Sequence, residues 1–227
     1  MPSLKNTAYT TIKKRISDCT YMPGAFLNEE KLKVDLQVSR TPIRDALGRL
    51  EQEGLIVIKP KKGILVSPLT LDEINQTYEI RMIFESYALR HYGDKLSIGF
   101  LLDEYKVCCA QSSEPSLSFQ NDDFFHMTIV KAMQNHYVEE CYETIHVQDQ
   151  RIRRLTGVDP SRLADTKKEH SEIITACLKK DWEEAATAMY KHLKNAKDAA
   201  FSMVLKSNNR HFILSEEDNG DAMCCIQ

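Results

Sequence analysis

The chain has 227 residues, 42% hydrophobic and 28% charged, an ordinary globular mixture long enough for one large domain or two modest ones. No apolar run approaches the roughly 20 residues that span a bilayer, and the first residues lack the apolar core of a secretory signal, so the expected setting is cytoplasmic with no membrane partner. The net charge of −3 divides into +5 over residues 1–68 and −8 over residues 69–227, a basic head on an acidic body, as when a nucleic-acid-binding module is joined to something else.

The head reads as helix, helix, helix, hairpin. Ala8, Ile12, Ile16 and Cys19 mark one face of a first helix that Pro23-Gly24 ends. A short second helix over Glu29–Leu36 turns Leu32 and Leu36 inward, and Gln37-Val38-Ser39 makes the turn. Ser39 or Thr41 can cap a third helix, whose first turn suits Pro42 because proline has no N–H to leave unpaired there. This helix runs to about Glu53 with Ile43, Ala46, Leu47 and Leu50 inside, and Gly54 stops it. Two apolar strands, Leu55–Lys59 and Ile64–Ser67, flank the basic turn Pro60-Lys61-Lys62-Gly63. Thr70 with Glu73 forms a capping box that starts the next helix near Leu71, which places a domain boundary between residues 70 and 71.

From Leu71 to about Leu205 the periodicity is helical throughout, with breaks at Gly93, Ser112–Ser116, Asn135, Gly157–Pro160 and Lys180-Asp181. The expectation is a bundle of about six helices over residues 71–205, then a polar, disordered tail over residues 206–227. The fold class is mainly α, a winged helix-turn-helix followed by an all-helical bundle. The seven cysteines, odd in number and partly adjacent (Cys108-Cys109, Cys224-Cys225), read as reduced thiols, not as a disulfide framework.

In a winged helix the third helix enters the major groove by its N-terminal end. That end carries Ser39, Arg40, Thr41, Pro42 and Arg44, and arginine can grip guanine O6 and N7 with two bonds. Arg49 is placed for a phosphate, while Lys61 and Lys62 sit at the wing tip, where Gly63 allows close approach to DNA. The plainer alternative is that these cations only solvate the surface. At Phe26-Leu27-Asn28-Glu29, the run Val38 to Leu47, Leu50-Glu51, Glu53-Gly54-Leu55 and Gly63, the sequence resembles the GntR family of repressors. The resemblance implies a homodimer whose two heads bind a pseudo-palindromic double-stranded DNA operator.

In the body, Asp122 and His126 are four apart and share one helical face. His170 and His192 lie symmetrically about Asp181, which caps a helix with Glu184, so folding the hairpin there sets the two histidines opposite each other. A helix bearing Asp122 and His126 could complete a site in the bundle core for Zn²⁺, Ni²⁺, Mn²⁺ or Fe²⁺, which the sequence does not distinguish. Taken singly, each histidine would read as an ordinary core or surface residue; His91, His136, His146 and His211 do read so. Asp122-x-x-x-His126, Glu169-His170 and Met189-x-x-His192-Leu193 resemble the ligand-sensing FCD domain of the FadR-like GntR branch. In its metal-binding members the equivalents of Asp122, His126, His170 and His192 hold the ion.

Arg81 and Glu85 fall on the apolar face of their helix with Ile74, Tyr78, Ala88 and Leu89, where charge is costly unless paired or used. Either they form an intrahelical pair, or Arg81 binds an anionic effector; Arg151, Arg153 and Arg154 are weaker effector candidates. Together these features predict a transcription regulator controlled by a small organic acid held near the metal. The alternatives are a metal hydrolase fused to a DNA anchor, and an architectural DNA binder whose body only dimerises.

Overall fold

The computed structural model describes residues 4–109, 115–156, 160–206 and 212–213. The chain divides into two compact units: Met1–Glu73 with Gln150–Leu155 and Ser207–Gln227, and Ile74–Asp149 with Thr156–Lys206.

In the first unit, α1 (Leu4–Ser17), α2 (Glu29–Leu36) and α3 (Arg40–Gln52) precede a small antiparallel sheet. Ala8, Ile12 and Ile16 are buried as their spacing requires, but α1 stops at Ser17, earlier than Pro23. The physical reason is Cys19, which takes a left-handed φ of 58° and so cannot extend the face begun by Ile16. Asn28 caps α2, its side chain accepting from the Glu30 and Lys31 amides at 2.8 and 3.2 Å. Leu32 is buried, Leu36 only half-buried. The expected core of α3 (Ile43, Ala46, Leu47, Leu50) is buried, Ser39 is its N-cap residue without a side-chain bond, and Gly54 follows at φ 71°.

The hairpin is β2 (Ile56–Lys59) with β3 (Gly63–Val66), in the register Ile56↔Val66 to Lys59↔Gly63. A third strand that the periodicity did not reveal, β1 (Phe26–Leu27), pairs on the other side of β3. Two residues are too few to show a period. Gly63, at φ 112°, has a duty inside this sheet: a Cβ there would lie 3.3 Å from the Leu27 carbonyl oxygen. β4 (Leu69–Thr70) also escaped the periodicity and pairs in parallel with β5 (Phe212–Ile213). The remainder of the expected tail beyond Lys206, His211 included, lies outside the described residues.

Gln150–Leu155 belong to this first unit although they are part of a long helix, α7 (His136–Thr156). Arg151 is fully buried there and donates from Nη2 to the Ser67 carbonyl, while the Cys19 thiol meets the Arg151 carbonyl at 3.8 Å. Arg151 is thus buried and bonded within this unit, not open to an effector.

The second unit is made from α4 (Leu71–Tyr92), a 3-10 turn at Gly93–Lys95, α5 (Ile98–Cys109), α6 (Pro115–Lys131), α7, α8 (Pro160–Leu178) and α9 (Trp182–Lys206). The capping box forms in both directions, Thr70 amide to Glu73 at 2.8 Å and Glu73 amide to Thr70 Oγ1 at 3.0 Å. At Gly93 the Trp182 ring packs so closely that a Cβ would meet it at 2.3 Å. Lys180, at φ 59°, closes α8: its amide reaches Cys177 O and the Asp181 amide reaches Ala176 O, a Schellman end with lysine in the usual glycine place. Asp181 then caps α9 through the Glu184 amide at 3.0 Å. The hairpin axis expected from the sequence is the one that forms. Among the described residues, no helix is long and apolar enough to cross a membrane.

Candidate functional site

The start of α3 presents Ser39, Arg40, Thr41 and Arg44 at the surface. Arg40 reaches Glu30 Oε1 from Nε at 3.0 Å and Nη2 at 2.5 Å, and Arg44 Nε reaches Glu29 Oε1 at 3.1 Å. The two acids at the start of α2 therefore occupy the two arginines, in exposed pairs that are cheap to break. Pro42 is buried, so it shapes the first turn and offers no surface. Arg49 stacks its guanidinium 3.6 Å from the centre of the Tyr9 ring, which fixes its direction. Lys61 and Lys62 are exposed at the hairpin turn, Lys61 with a left-handed φ of 65°.

In the second unit, α6 carries Asp122 and His126, α8 carries His170 and α9 carries His192, and the structure gathers all four. The three histidines are buried, with one ring nitrogen of each within 4.8 Å of the others. His170 Nε2 and His192 Nε2 are 3.3 Å apart. Asp122 lies 3.6 Å from His170 Nε2 through Oδ1 and 3.8 Å from His126 Nε2 through Oδ2. Two nitrogens bound to one tetrahedral zinc at 2.0–2.1 Å would sit about 3.3 Å apart, so the His170–His192 spacing is compatible with a shared ion.

The outer nitrogens explain the orientation. His126 Nδ1 is 2.5 Å from Glu85 Oε2, and His192 Nδ1 is 2.7 Å from Glu169 Oε2. A carboxylate on Nδ1 assigns the proton to that nitrogen and leaves Nε2 as a lone pair facing inward. His126 Nε2 is in fact buried with no hydrogen-bond partner, an expensive arrangement for a polar atom unless a cation completes it. Burial holds the His126 imidazolium well below its usual range and brings His170 down to about 3, so both rings are neutral, as metal ligands must be. Burial would raise Glu169, but hydrogen bonds from His192, Arg162 and Asn195 outweigh it and bring it down to about 2. The residues present fit a divalent transition metal.

Glu85 and Glu169 are the carboxylates beside the histidines that sequence reasoning did not place there. Glu169 was legible: the register that pairs His170 with His192 also sets Glu169 beside α9, where Asn195 donates to it at 2.7 Å. Glu85 was read only as the intrahelical partner of Arg81, not as a neighbour of His126. Arg81 is buried with it, and the intrahelical pair forms, Nε to Glu85 Oε1 at 2.8 Å, while Nη1 reaches Asp149 Oδ1 at 2.6 Å. Arg81 as a free effector anchor is therefore corrected: two carboxylates hold it. Tyr142 donates its hydroxyl to Glu85 Oε1 at 2.6 Å. His91 and His136 are exposed and His146 lies 3.8 Å from Asp123, all apart from the cluster.

Comparison with known proteins assigns both halves. The gntR family of bacterial regulatory proteins matches residues 4–66, and the FCD domain matches residues 76–195, more than half of the chain. The transcriptional repressor RspR of Escherichia coli is 23% identical over 197 residues, covering 84% of this chain and 86% of the relative. A GntR regulator from a Rhodococcus species superposes with a TM-score of 0.75 at 17% identity, over 87% of this chain and 97% of that one. The FCD domain of another regulator, solved Zn²⁺-bound and metal-free, superposes with TM-scores of 0.54 and 0.56 at 24% identity, over 61% of this chain and 98% and 99% of that domain. These relatives are regulators rather than enzymes, and the chain belongs to the GntR family of transcriptional regulators, with a winged helix-turn-helix followed by an FCD domain.

Proposed function

We propose that this regulator binds a pseudo-palindromic operator as a homodimer, and that a small organic acid bound at a metal in the FCD domain controls its operator affinity. Asp122, His126, His170 and His192 would hold Zn²⁺, Ni²⁺, Mn²⁺ or Fe²⁺. The observation that carries this reading is the convergence of three buried imidazoles in which His126 Nε2 has no hydrogen-bond partner while its Nδ1 is held by Glu85. Support also comes from an FCD domain of the same fold that has been solved with Zn²⁺ bound.

The chain's own residues do the following work. Glu85 and Glu169 fix the tautomer and direction of His126 and His192; Arg162 and Asn195 in turn hold Glu169. Asp122 adds the one negative charge among the four. A bound divalent cation would supply a Lewis-acidic point for a carboxylate oxygen of the effector. In the head, Ser39, Arg40, Thr41 and Arg44 would read bases or phosphates once Glu29 and Glu30 release the arginines, and Arg49, Lys61, Lys62 and the Gly63 turn would follow the backbone.

The test is elemental analysis of the purified protein, then melting temperature with each metal and with a panel of organic acids. Metal near one equivalent per chain, and an acid that stabilises only the metal-loaded form, are expected. A metal-free protein that none of the four cations stabilises would overturn the reading.

A further inference from the structure

The interior of α3 contains a glycine, Gly48, that the fold does not call for. A Cβ built there meets nothing within 4 Å, and the backbone is ordinary helix, so neither close packing nor a left-handed φ selects glycine. Glycine nonetheless costs a helix interior stability relative to alanine. At about 100° per residue, Gly48 shares the outward face of α3 with Thr41 and Arg44, each within about 40° of it. The buried Ile43, Ala46 and Leu50 lie on the opposite side. The outward face is therefore bare one turn beyond Arg44. The next residue, Arg49, is aimed: its guanidinium stacks on the Tyr9 ring, whose hydroxyl donates to Glu53 and accepts from Lys13.

We propose that Gly48 is a seat for the DNA sugar–phosphate backbone on α3, where the missing side chain lets the helix come against the rim of the major groove. The proposal rests on α3 being the reading helix and adds to it a residue that works by what it lacks. A helix with its side chains is about 10–12 Å across, and the major groove is about 12 Å wide, so the face that enters it has little slack. The N-terminal end goes in first, and Gly48 lies four residues, about 6 Å of rise, behind Arg44. At that depth the helix leaves the base edges and passes the backbone at the rim. A side chain at position 48 would hold α3 off and lift Arg40 and Arg44 from the bases. Arg49, on the next residue, supplies the charge that a phosphate in this seat would meet. Gly48 itself contributes space, not a bond.

The test uses the full chain and an operator that the wild type selects from a random-sequence pool, with affinity read by fluorescence anisotropy and folding by melting temperature. Gly48→Ala should raise the melting temperature by about 2–4 °C, as better helix propensity does in a chain of this size. The same variant should bind the operator at least about fivefold more weakly, the low end of what overpacking by a methyl costs. Gly48→Leu should bind more weakly still, and both variants should select the same sequence as the wild type. Stability and binding thus move in opposite directions, which a merely structural glycine cannot produce. Arg44→Ala is the reference for the reading helix. If Arg44→Ala weakens binding and Gly48→Ala does not, the inference is overturned and the reading of α3 stands; if neither weakens it, both fall. A Gly48→Leu protein that binds no more weakly than Gly48→Ala would assign the loss to stiffening of α3, and an altered sequence choice would put a base edge at Gly48. Either result overturns the seat. A lowered melting temperature in Gly48→Ala does so too, because the space would then not be open.

Discussion

His126 Nδ1 stands 2.5 Å from Glu85 Oε2, a buried contact between α6 and α4 that joins a cluster histidine to a carboxylate on a neighbouring helix. If this contact aims Nε2, then Glu85→Gln should weaken metal binding by about 10–100-fold, the usual cost of losing such an outer partner. Chelator competition measures it. An unchanged metal affinity in a folded Glu85→Gln protein would mean that His126 is oriented by packing alone.

Removing the cluster residues tests stability and metal together. His170→Ala or His192→Ala should lower both metal content and the melting-temperature gain on adding Zn²⁺, since a ligand that binds only the folded state stabilises by mass action. Chelation of the wild type should leave the fold of the first unit intact, because the cluster residues all lie on α6, α8 and α9. Amide hydrogen exchange over α1, α2 and α3 should therefore be unchanged by chelation. Wholesale unfolding on chelation would contradict this.

How far the sequence could be read follows from the range of the forces involved. The α3 core, the Thr70–Glu73 box and the α8–α9 hairpin rest on local spacing and capping, and were legible as such. His170 and His192 meet because Lys180 and Asp181 set a symmetric turn, again a local matter. Strand β1 was not legible, since two residues carry no period and the pairing to Ile64 and Leu65 lies far along the chain. Asp149 as a partner of Arg81, 68 residues away, left no local trace either. Nor did Arg151, whose burial depends on a helix that serves both units.

Gly93 gives a prediction about packing. A methyl at Gly93 would press on the Trp182 ring at 2.3 Å, and the first turn of α9 cannot give way cheaply. Gly93→Ala should destabilise the protein by about 1–3 kcal/mol, as overpacking does. Trp182→Leu in the same background should recover part of the loss by removing the ring. Urea melts of the two single variants and the double variant decide it; simple additivity would rule out the proposed clash.

Arg81 gives a sharper one. Arg81→Ala leaves Glu85 and Asp149 buried without their shared cation, and breaking one side of a buried ion pair costs about 3–5 kcal/mol. Lysine should rescue poorly, because one ammonium cannot serve both carboxylates as the planar guanidinium does. The triple change Arg81→Met, Glu85→Gln, Asp149→Asn should melt closer to the wild type than Arg81→Ala, since it removes the stranded charges as well as the cation. A triple variant as unstable as Arg81→Ala would show that shape, not charge, is what Arg81 supplies.

The last prediction concerns the start of α3, where Arg40 and Arg44 are each held by an acid of α2. If Arg40 or Arg44 reads a base with two bonds, Arg40→Ala or Arg44→Ala should cost about 1–3 kcal/mol of specific binding and relax sequence choice at that base. Lys62→Ala should weaken binding evenly across sequences and flatten the salt dependence, as expected of a phosphate contact. Glu30 makes the test two-sided. It holds Arg40 at 2.5 Å in the free protein, in a pair more than half exposed at both ends. Glu30→Gln should therefore free Arg40 and remove a negative charge from the DNA-facing surface, tightening binding most at low salt. Fluorescence anisotropy with an operator selected from a random-sequence pool, read at two salt concentrations, measures all four variants. Should Arg40→Ala and Arg44→Ala both leave affinity and sequence choice unchanged, the start of α3 is not the reading surface. Tighter binding by Glu30→Gln that vanishes in the Glu30→Gln, Arg40→Ala double variant would identify Arg40 as the residue it restrains.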